Sequence, residues 1–304
     1  MRLLMPSVGR KTYLASRLRE MLSGIDGALF GSDVDRSAPA LRYVDGTIEL
    51  PGFLGPGYWH AVDAAIDRHG ITAVLPTRDA ELEAWSRRAE RGELQAEVLL
   101  SPSDTLAVCG DKALLYAAAA DCNVRCPRWT PVTAQTDEAG LFFPSVVKPS
   151  RGSGSRGLYR VRSKTQWQEV ARRLSAPCLL QVWHSGIEYS VDCFVDEAGR
   201  LVDWCVRERM QVVDGEATAG RVADDPDLVE RCLRLASRMR FRGVINVQFI
   251  VDDDGAWLID LNPRFPGGIA ITEAAGHAFI RRTLELPGQL ALARRHVDAR
   301  PLPD

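Results

Sequence analysis

At 304 residues, 46% hydrophobic and 26% charged, the chain has the make-up of an ordinary soluble globular protein and the length for two or three packed units. A formal net charge of −2 gives no overall attraction to nucleic acid or to an anionic membrane surface. No stretch approaches the roughly 18 apolar residues of a membrane span, and Met1–Met5 before Pro6 does not read as a signal peptide, so a reducing cytoplasm is the expected compartment.

The first hundred residues alternate strand and helix. Strands are predicted at Leu3–Val8, Ala28–Phe30, Thr47–Leu50, Ile71–Leu75 and Val98–Leu100. Between them, Tyr13, Leu14, Leu18, Met21 and Leu22 recur at helical spacing, and Trp59, Val62, Ala65 and Ile66 make a second helix face ended by Gly70. A third helix follows Asp79 and runs through Trp85. This alternation predicts a parallel sheet covered on both faces, with any ligand at the carboxyl ends of the strands. The polar residues there are Ser7, Arg10, Asp33, Thr77, Asp79 and Glu81. The first turn lacks G-x-G-x-x-G, which excludes a dinucleotide fingerprint.

One helix is expected from about Ser103 to Ala120, capped by Ser103 or Asp104 and containing Gly110-Asp-Lys112. The two prolines of Cys126-Pro-Arg-Trp-Thr-Pro131 make that stretch extended and a candidate boundary. Val146 and Val147 then form a short apolar strand ending in Lys148 and Pro149. A Gly/Ser run with Arg151 and Arg156 follows, and Leu158–Val161 returns as the second strand of a hairpin whose tip is that run. Gly152, Gly154 and Gly157 permit backbone conformations that bring N–H groups close to an anion, with Lys148 as a point charge at the base. In a Walker A loop the lysine follows the glycines; here it precedes them, so that motif is absent. Only four of the 38 basic residues are lysine, and two of these, Lys112 and Lys148, stand in motif-like settings. A flexible surface linker is the other reading of this stretch.

A helix over Gln166–Leu174, a strand over Leu179–Trp183, a hairpin over Ile187–Val195 and Leu201–Arg209, and an amphipathic helix over Leu228–Met239 complete the middle of the chain. In Val244–Asn262 a three-residue loop at Asp253-Asp-Gly255 would pair Asp252 with Ala256, Gln248 with Asp260 and Asn246 with Asn262. It would place Trp257, Ile259 and Leu261 on one face, and Leu258, Asp260 and Asn262 on the other. One face of the pair then carries four oxygen-bearing side chains, which suits Mg²⁺ sharing its shell with phosphates. A half-solvated sheet face is the alternative. The seven cysteines form no zinc ribbon: Cys122 and Cys126 lack a second pair, and most of the seven lie in apolar stretches. The five histidines are scattered, and His184 reads as a surface residue.

The second two-thirds of the chain resembles an ATP-grasp enzyme of the carbamoyl phosphate synthetase and biotin carboxylase branch. Four motifs in order carry the resemblance: Gly110-Asp-Lys112; Val147 to Gly157; Leu180-Gln-Val-Trp-His-Ser-Gly-Ile-Glu-Tyr-Ser-Val-Asp192; and Gln248 with Asp260-Leu-Asn-Pro-Arg264. The implied fold is α/β and α+β. A Rossmann-like pre-ATP-grasp domain (1–108) would precede an ATP-grasp fold of two α+β subdomains, 109–180 with the glycine loop and 181–304 with the metal site.

The resemblance implies roles residue by residue. Lys112 and Lys148 would contact ATP phosphates, covered by Ser150, Gly152, Ser153, Gly154, Ser155 and Gly157. Gln181, Val182 and Trp183 would line the adenine, mainly through backbone groups, and Glu188 would accept hydrogen bonds from the ribose. Gln248, Asp260 and Asn262 would hold one or two Mg²⁺; Asp260 stands where Glu is usual, which leaves the second ion open. Arg264, Lys148 and either Arg207 or Arg209, of which Arg209 is preferred, would act on the transferring phosphoryl group. Independently of the resemblance, Asp33, Thr77, Asp79 and Glu81 stand at strand ends of the amino-terminal sheet and would lie near the substrate, where Asp79 and Glu81 would pair with its ammonium group.

The implied activity is an ATP- and Mg²⁺-dependent, ADP-forming carbon–nitrogen ligase. It would activate a small-molecule carboxylate as an acylphosphate for attack by an amine, amino-acid ligation being one such reaction. A phosphotransferase releasing an acyl or carbamoyl phosphate, and a nucleotide-binding module without turnover, are the other readings. Small-molecule acid and amine are the expected partners, without nucleic acid or membrane, and a homodimer stays open.

Overall fold

The computed structural model describes residues 1–152, 154, 156–213 and 216–286. Ser153 and Ser155 of the glycine loop, and residues 287–304, lie outside the described residues.

The amino-terminal unit contains β1 (Arg2–Met5), α1 (Thr12–Ser23), β2 (Ala28–Gly31), β3 (Gly46–Thr47), α2 (Tyr58–His69), β4 (Ala73–Val74), α3 (Asp79–Glu90) and β5 (Glu97–Val98). The strands form one parallel sheet in the order β3-β2-β1-β4-β5. Leu3, Leu4 and Met5 of the central strand are all fully buried, as they must be where helices cover both faces. The third strand is two residues long rather than Thr47–Leu50.

The expected single helix over 103–120 is two helices, α4 (Ser103–Cys109) and α5 (Lys112–Asp121). Asp111 is the cause: its carboxylate accepts from Ala113 N (3.0 Å) and starts α5 afresh. Neither Ser103 nor Asp104 caps α4, whose N-cap position is Pro102. The Ser103 amide and hydroxyl both donate to Glu90 instead.

A second sheet contains β6 (Trp129–Val132), β7 (Ser145–Pro149), β8 (Tyr159–Val161) and β9 (Cys178–Val182), antiparallel in the order β6-β9-β7-β8. The glycine loop is the tip of β7–β8. Helix α6 (Lys164–Ala171) packs Trp167, Val170 and Ala171 against the second sheet. The third sheet is antiparallel: β10 (Ile187–Val195), β11 (Leu201–Val213), β12 (Glu216–Ala223), β13 (Gly243–Asp252) and β14 (Gly255–Asn262), in the order β12-β11-β10-β13-β14. Helix α7 (Pro226–Arg238) starts at Asp225, which accepts from Leu228 N. It buries Leu228, Val229, Cys232, Leu235 and Ala236 against this sheet's far face.

Among the strands and α-helices of the described residues, three were not foreseen: β12, α8 (Ile269–Ala274) and α9 (Phe279–Glu285). Phe265, Ile269, Phe279, Ile280 and Leu284 share a core with Leu3, Met5, Leu14 and Leu18. The segment after β14 therefore folds back onto the amino-terminal sheet, and Arg264 at its start is carried to Asp79.

The register of β13–β14 departs from the expected turn. Asp252 pairs with Gly255 across a two-residue connection, then Val251 with Ala256, Ile250 with Trp257 and Phe249 with Leu258. Such a turn alone would shift every later pair by one residue. A β-bulge at Ile259 absorbs the shift, so Gln248 still faces Asp260 and Asn246 still faces Asn262. It also corrects the expected faces. Leu258 and Leu261 both enter the core, fully buried or nearly so, while Ile259 lines the cavity beside Asp260.

Candidate active site

The alternation of strand side chains builds the floor of a cavity of about 310 Å³ between the second and third sheets. Across β11-β10-β13-β14 one row reads Arg207, Ser190, Gln248, Asp260. The adjacent row reads Cys205, Asp192, Asn246, Asn262. Lys112, Lys148, Val146, Gly152 and Gly154 line the other side.

Two ammonium groups enter this cavity. Lys148, on β7, is buried; burial pushes its pKa down to about 7, against the opposing pull of Asp260. Its Nζ donates to the Tyr116 hydroxyl (2.7 Å) and to the Ile259 carbonyl (3.1 Å). That carbonyl belongs to the bulge residue, which has no partner residue across the ladder. Lys112 opens α5, donates to the Gly152 carbonyl (2.9 Å) and stands 3.6 Å from Asp260. The loop base is tied to the same helix start: Lys112 N donates to Ser150 O, and the Ser150 hydroxyl donates to Asp111. Burial raises the Asp111 pKa, but hydrogen bonds from Ser150, Ala113 and Leu114 outweigh it and leave the carboxyl below its usual range.

Tyr116 was not singled out in the sequence. It is buried, bridges Lys148, Gln181 Oε1 (2.8 Å) and Ile259 O, and lies four residues after Lys112 on the same helix face. That i,i+4 spacing was the available signal.

The carboxylates are held apart. Arg209 bonds to Glu188; burial raises the Glu188 pKa and Arg209 opposes the rise. Arg207, almost fully buried, is bidentate to Asp192 (2.9 Å twice), which also accepts from Asn246 and Thr272. Gln248 Nε2 donates to Asn246 Oδ1, which leaves the Gln248 oxygen as a potential ligand. Among the described residues no three His, Cys, Asp or Glu side chains cluster as a metal site. A single carboxylate with two amide oxygens is the donor set of a hard cation that takes its other ligands from a bound phosphate. The residues thus fit Mg²⁺ held jointly with a polyphosphate.

Several expected roles change with the geometry. Gln181, Val182 and Trp183, expected to line the adenine, all border the cavity, with the amides of Val182 and Trp183 already donating to Arg128 O (2.9 Å) and Pro144 O (3.1 Å). The Gln181 backbone lies in the middle of the sheet, between β6 and β7. His184 is no surface residue: its side chain is 10% exposed, stacked on Trp257 and 2.7 Å from Asp252. The turn before β10 also demands glycine, because a Cβ on Gly186 would lie 2.1 Å from the Val251 carbonyl.

The four residues expected near a substrate are not brought together. Asp33 lines a separate recess and accepts from Gly9 N (2.8 Å). Thr77 and Glu81 are buried, and Glu81 accepts from Ser7 (2.6 Å) and Arg78 (3.0 Å). Only Asp79 is tied to the cavity, through the lining residue Arg264, to which it is bidentate at 2.6 and 2.7 Å. Its partner is therefore an arginine of the protein, whereas a substrate ammonium was expected.

Residues 175–300 match the family model described as ATP-grasp in the biosynthetic pathway with Ter operon, and residues 3–99 match the PylC-like N-terminal domain. The carbamoyl phosphate synthase large chain of Vibrio vulnificus is 25% identical over 268 residues, covering 79% of this chain and 25% of that protein. The chain spans a quarter or less of the length of the curated relatives it matches. Among solved structures, the L-amino acid ligase of Bacillus licheniformis superposes with a TM-score of 0.73 at 16% identity, covering 93% of this chain and 73% of the ligase. Biotin carboxylase of Campylobacter jejuni gives 0.74 at 15% identity, covering 100% of this chain and 72% of the carboxylase. No helix among the described residues is long and apolar enough to cross a membrane.

Proposed function

Since the chain is an ATP-grasp protein with a PylC-like N-terminal domain, we propose that it is an ATP- and Mg²⁺-dependent, ADP-forming ligase that joins a small-molecule carboxylate to an amine. We divide it into an N-terminal unit (1–108), a glycine-loop subdomain (109–180) and a metal-site subdomain (181–304), acting in the cytoplasm. The observation that carries the reading is the pairing of two buried lysines with one carboxylate across the cavity: Lys112 and Lys148 opposite Asp260. Burying two cations with one anion is costly unless a polyanion completes the set. The C. jejuni carboxylase was solved as a beta-gamma-ATP complex, which supports a nucleotide in that place.

In this reading Lys112 leaves the Gly152 carbonyl for a phosphate oxygen, and Lys148, steered by Tyr116 and Ile259 O, holds a second. Asp260, Gln248 and Asn262 hold Mg²⁺, which neutralises charge on the transferring oxygens when bound. Arg264, kept in place by Asp79, and Arg209 add donors to the phosphoryl group as it moves to the acid. The closed glycine loop shields the resulting acylphosphate from water until the amine attacks.

The test is ADP release with acids and amines supplied singly and in pairs, amino acids first. Release that needs both supports a ligase. Release with an acid alone favours a product acyl phosphate, and nucleotide binding without release favours a non-catalytic module.

A further inference from the structure

Arg207 has a donor to spare. Its Nε and Nη2 are committed to Asp192, while Nη1 is buried without a hydrogen bond among the described residues. A buried guanidinium N–H left without an acceptor forfeits its hydration, so Nη1 either meets a ligand or is a standing penalty. Its surroundings are built around it. Asp192, itself fully buried, is saturated by Arg207, Asn246 and Thr272, so the arginine is pinned in direction. The opposite side is Gly268, where a Cβ would lie 2.5 Å from Nη1. Arg207, Gly267 and Gly268 all line the cavity.

We propose that Arg207 Nη1 and the Gly267–Gly268 turn form a seat for one carboxylate of the acid substrate, and that this carboxylate is an anchor rather than the group activated. The inference rests on the ligase reading and adds a substrate class to it. The distance carries the distinction. The guanidinium is fixed at Asp192 on β10, two strand spacings, about 10 Å, from Asp260 and Asn262 on β14. An acid that spans this gap has a second carboxylate, so the class is a short dicarboxylic acid. Because Asp192 offsets the charge of Arg207, the seat selects by the direction of its donors and not by net charge. Arg207 is a substrate-binding residue here, distinct from the phosphoryl-transfer end at Lys112, Lys148 and Asp260.

The experiment is calorimetric titration of succinate, glutarate and adipate, against butyrate and valerate, into protein loaded with Mg²⁺ and a non-hydrolysable ATP analogue. Wild type should bind one of the dicarboxylates at least tenfold tighter than the monocarboxylates. Gly268→Ala would put a Cβ 2.5 Å from Nη1 and 3.1 Å from Nη2, which forces the guanidinium out of the seat; it should abolish that preference and move analogue affinity by less than threefold. Arg207→Lys is the second variant, for the case that Gly268→Ala does not fold, and should give the same loss. Equal binding of both acid types, no binding of any dicarboxylate, or a preference surviving in the variants overturns the seat. Wild-type protein that fails to bind the analogue at all refutes the ligase reading instead.

Discussion

Lys148 should make nucleotide binding depend on pH in a calculable way. Its pKa in the ligand-free protein is pushed down to about 7 by burial, whereas an exposed lysine titrates near 10.4. A phosphate needs the charged form. With a pKa of about 7, roughly half the molecules carry that charge at pH 7 and about one in a hundred at pH 9. Apparent affinity falls by the competent fraction, so Kd for Mg·ADP should rise about 50-fold from pH 7 to pH 9. Binding at pH 8 should take up close to one proton, visible as a dependence of the calorimetric heat on buffer ionisation enthalpy. Lys148→Arg, whose charge does not titrate, should flatten both effects. The sign of the stability effect is fixed by linkage. The unfolded chain binds this proton up to about pH 10 and the ligand-free fold releases it near 7, so ligand-free stability gains from this group as pH rises through that window. Wild-type affinity that stays level between pH 7 and 9, with no proton uptake, would refute the claim that Lys148 is both buried and phosphate-bound.

Asp260→Asn should abolish most ADP release while shifting Tm by only a few degrees, since it removes the charge and keeps the shape; unchanged turnover would remove Asp260 from the metal site. Tyr116→Phe strips Lys148, Gln181 and the Ile259 carbonyl of a shared partner and should cost about 1–3 kcal/mol by denaturant unfolding. Deleting Ile259 removes the bulge and turns the Asp260 row to the other face; analogue binding at wild-type strength would show that the bulge does not set the site. Asp79→Asn loosens Arg264 and should lower kcat with the KM for ATP nearly unchanged; an effect confined to that KM would place Arg264 on the nucleotide instead.

Much of this molecule was legible before folding. The alternation of Leu3–Met5, α1 and Ala28–Phe30 dictated a parallel sheet, because strands buried on both faces need continuous apolar runs. Period-two patterning likewise put Asn246, Gln248, Asp260 and Asn262 on one face, and the pair at Lys148 and the glycine loop announced a hairpin tip. These are local properties, set by spacing along one or two neighbouring strands. The turn of β13–β14 was misread, yet the facing pairs were right, since the bulge at Ile259 cancelled the shift; burial of Leu258 and Leu261 demands that compensation, and no local signal at Ile259 reveals it. What folding alone decided lies where distant segments meet. Asp79 finds Arg264 across 185 positions, Tyr116 finds Lys148 and a carbonyl freed by the bulge, and Arg207 meets Gly268 and an Asp192 that Asn246 and Thr272 also hold. A charge's partner depends on which groups share its volume once water is excluded, and that is a property of packing that periodicity along the chain does not encode.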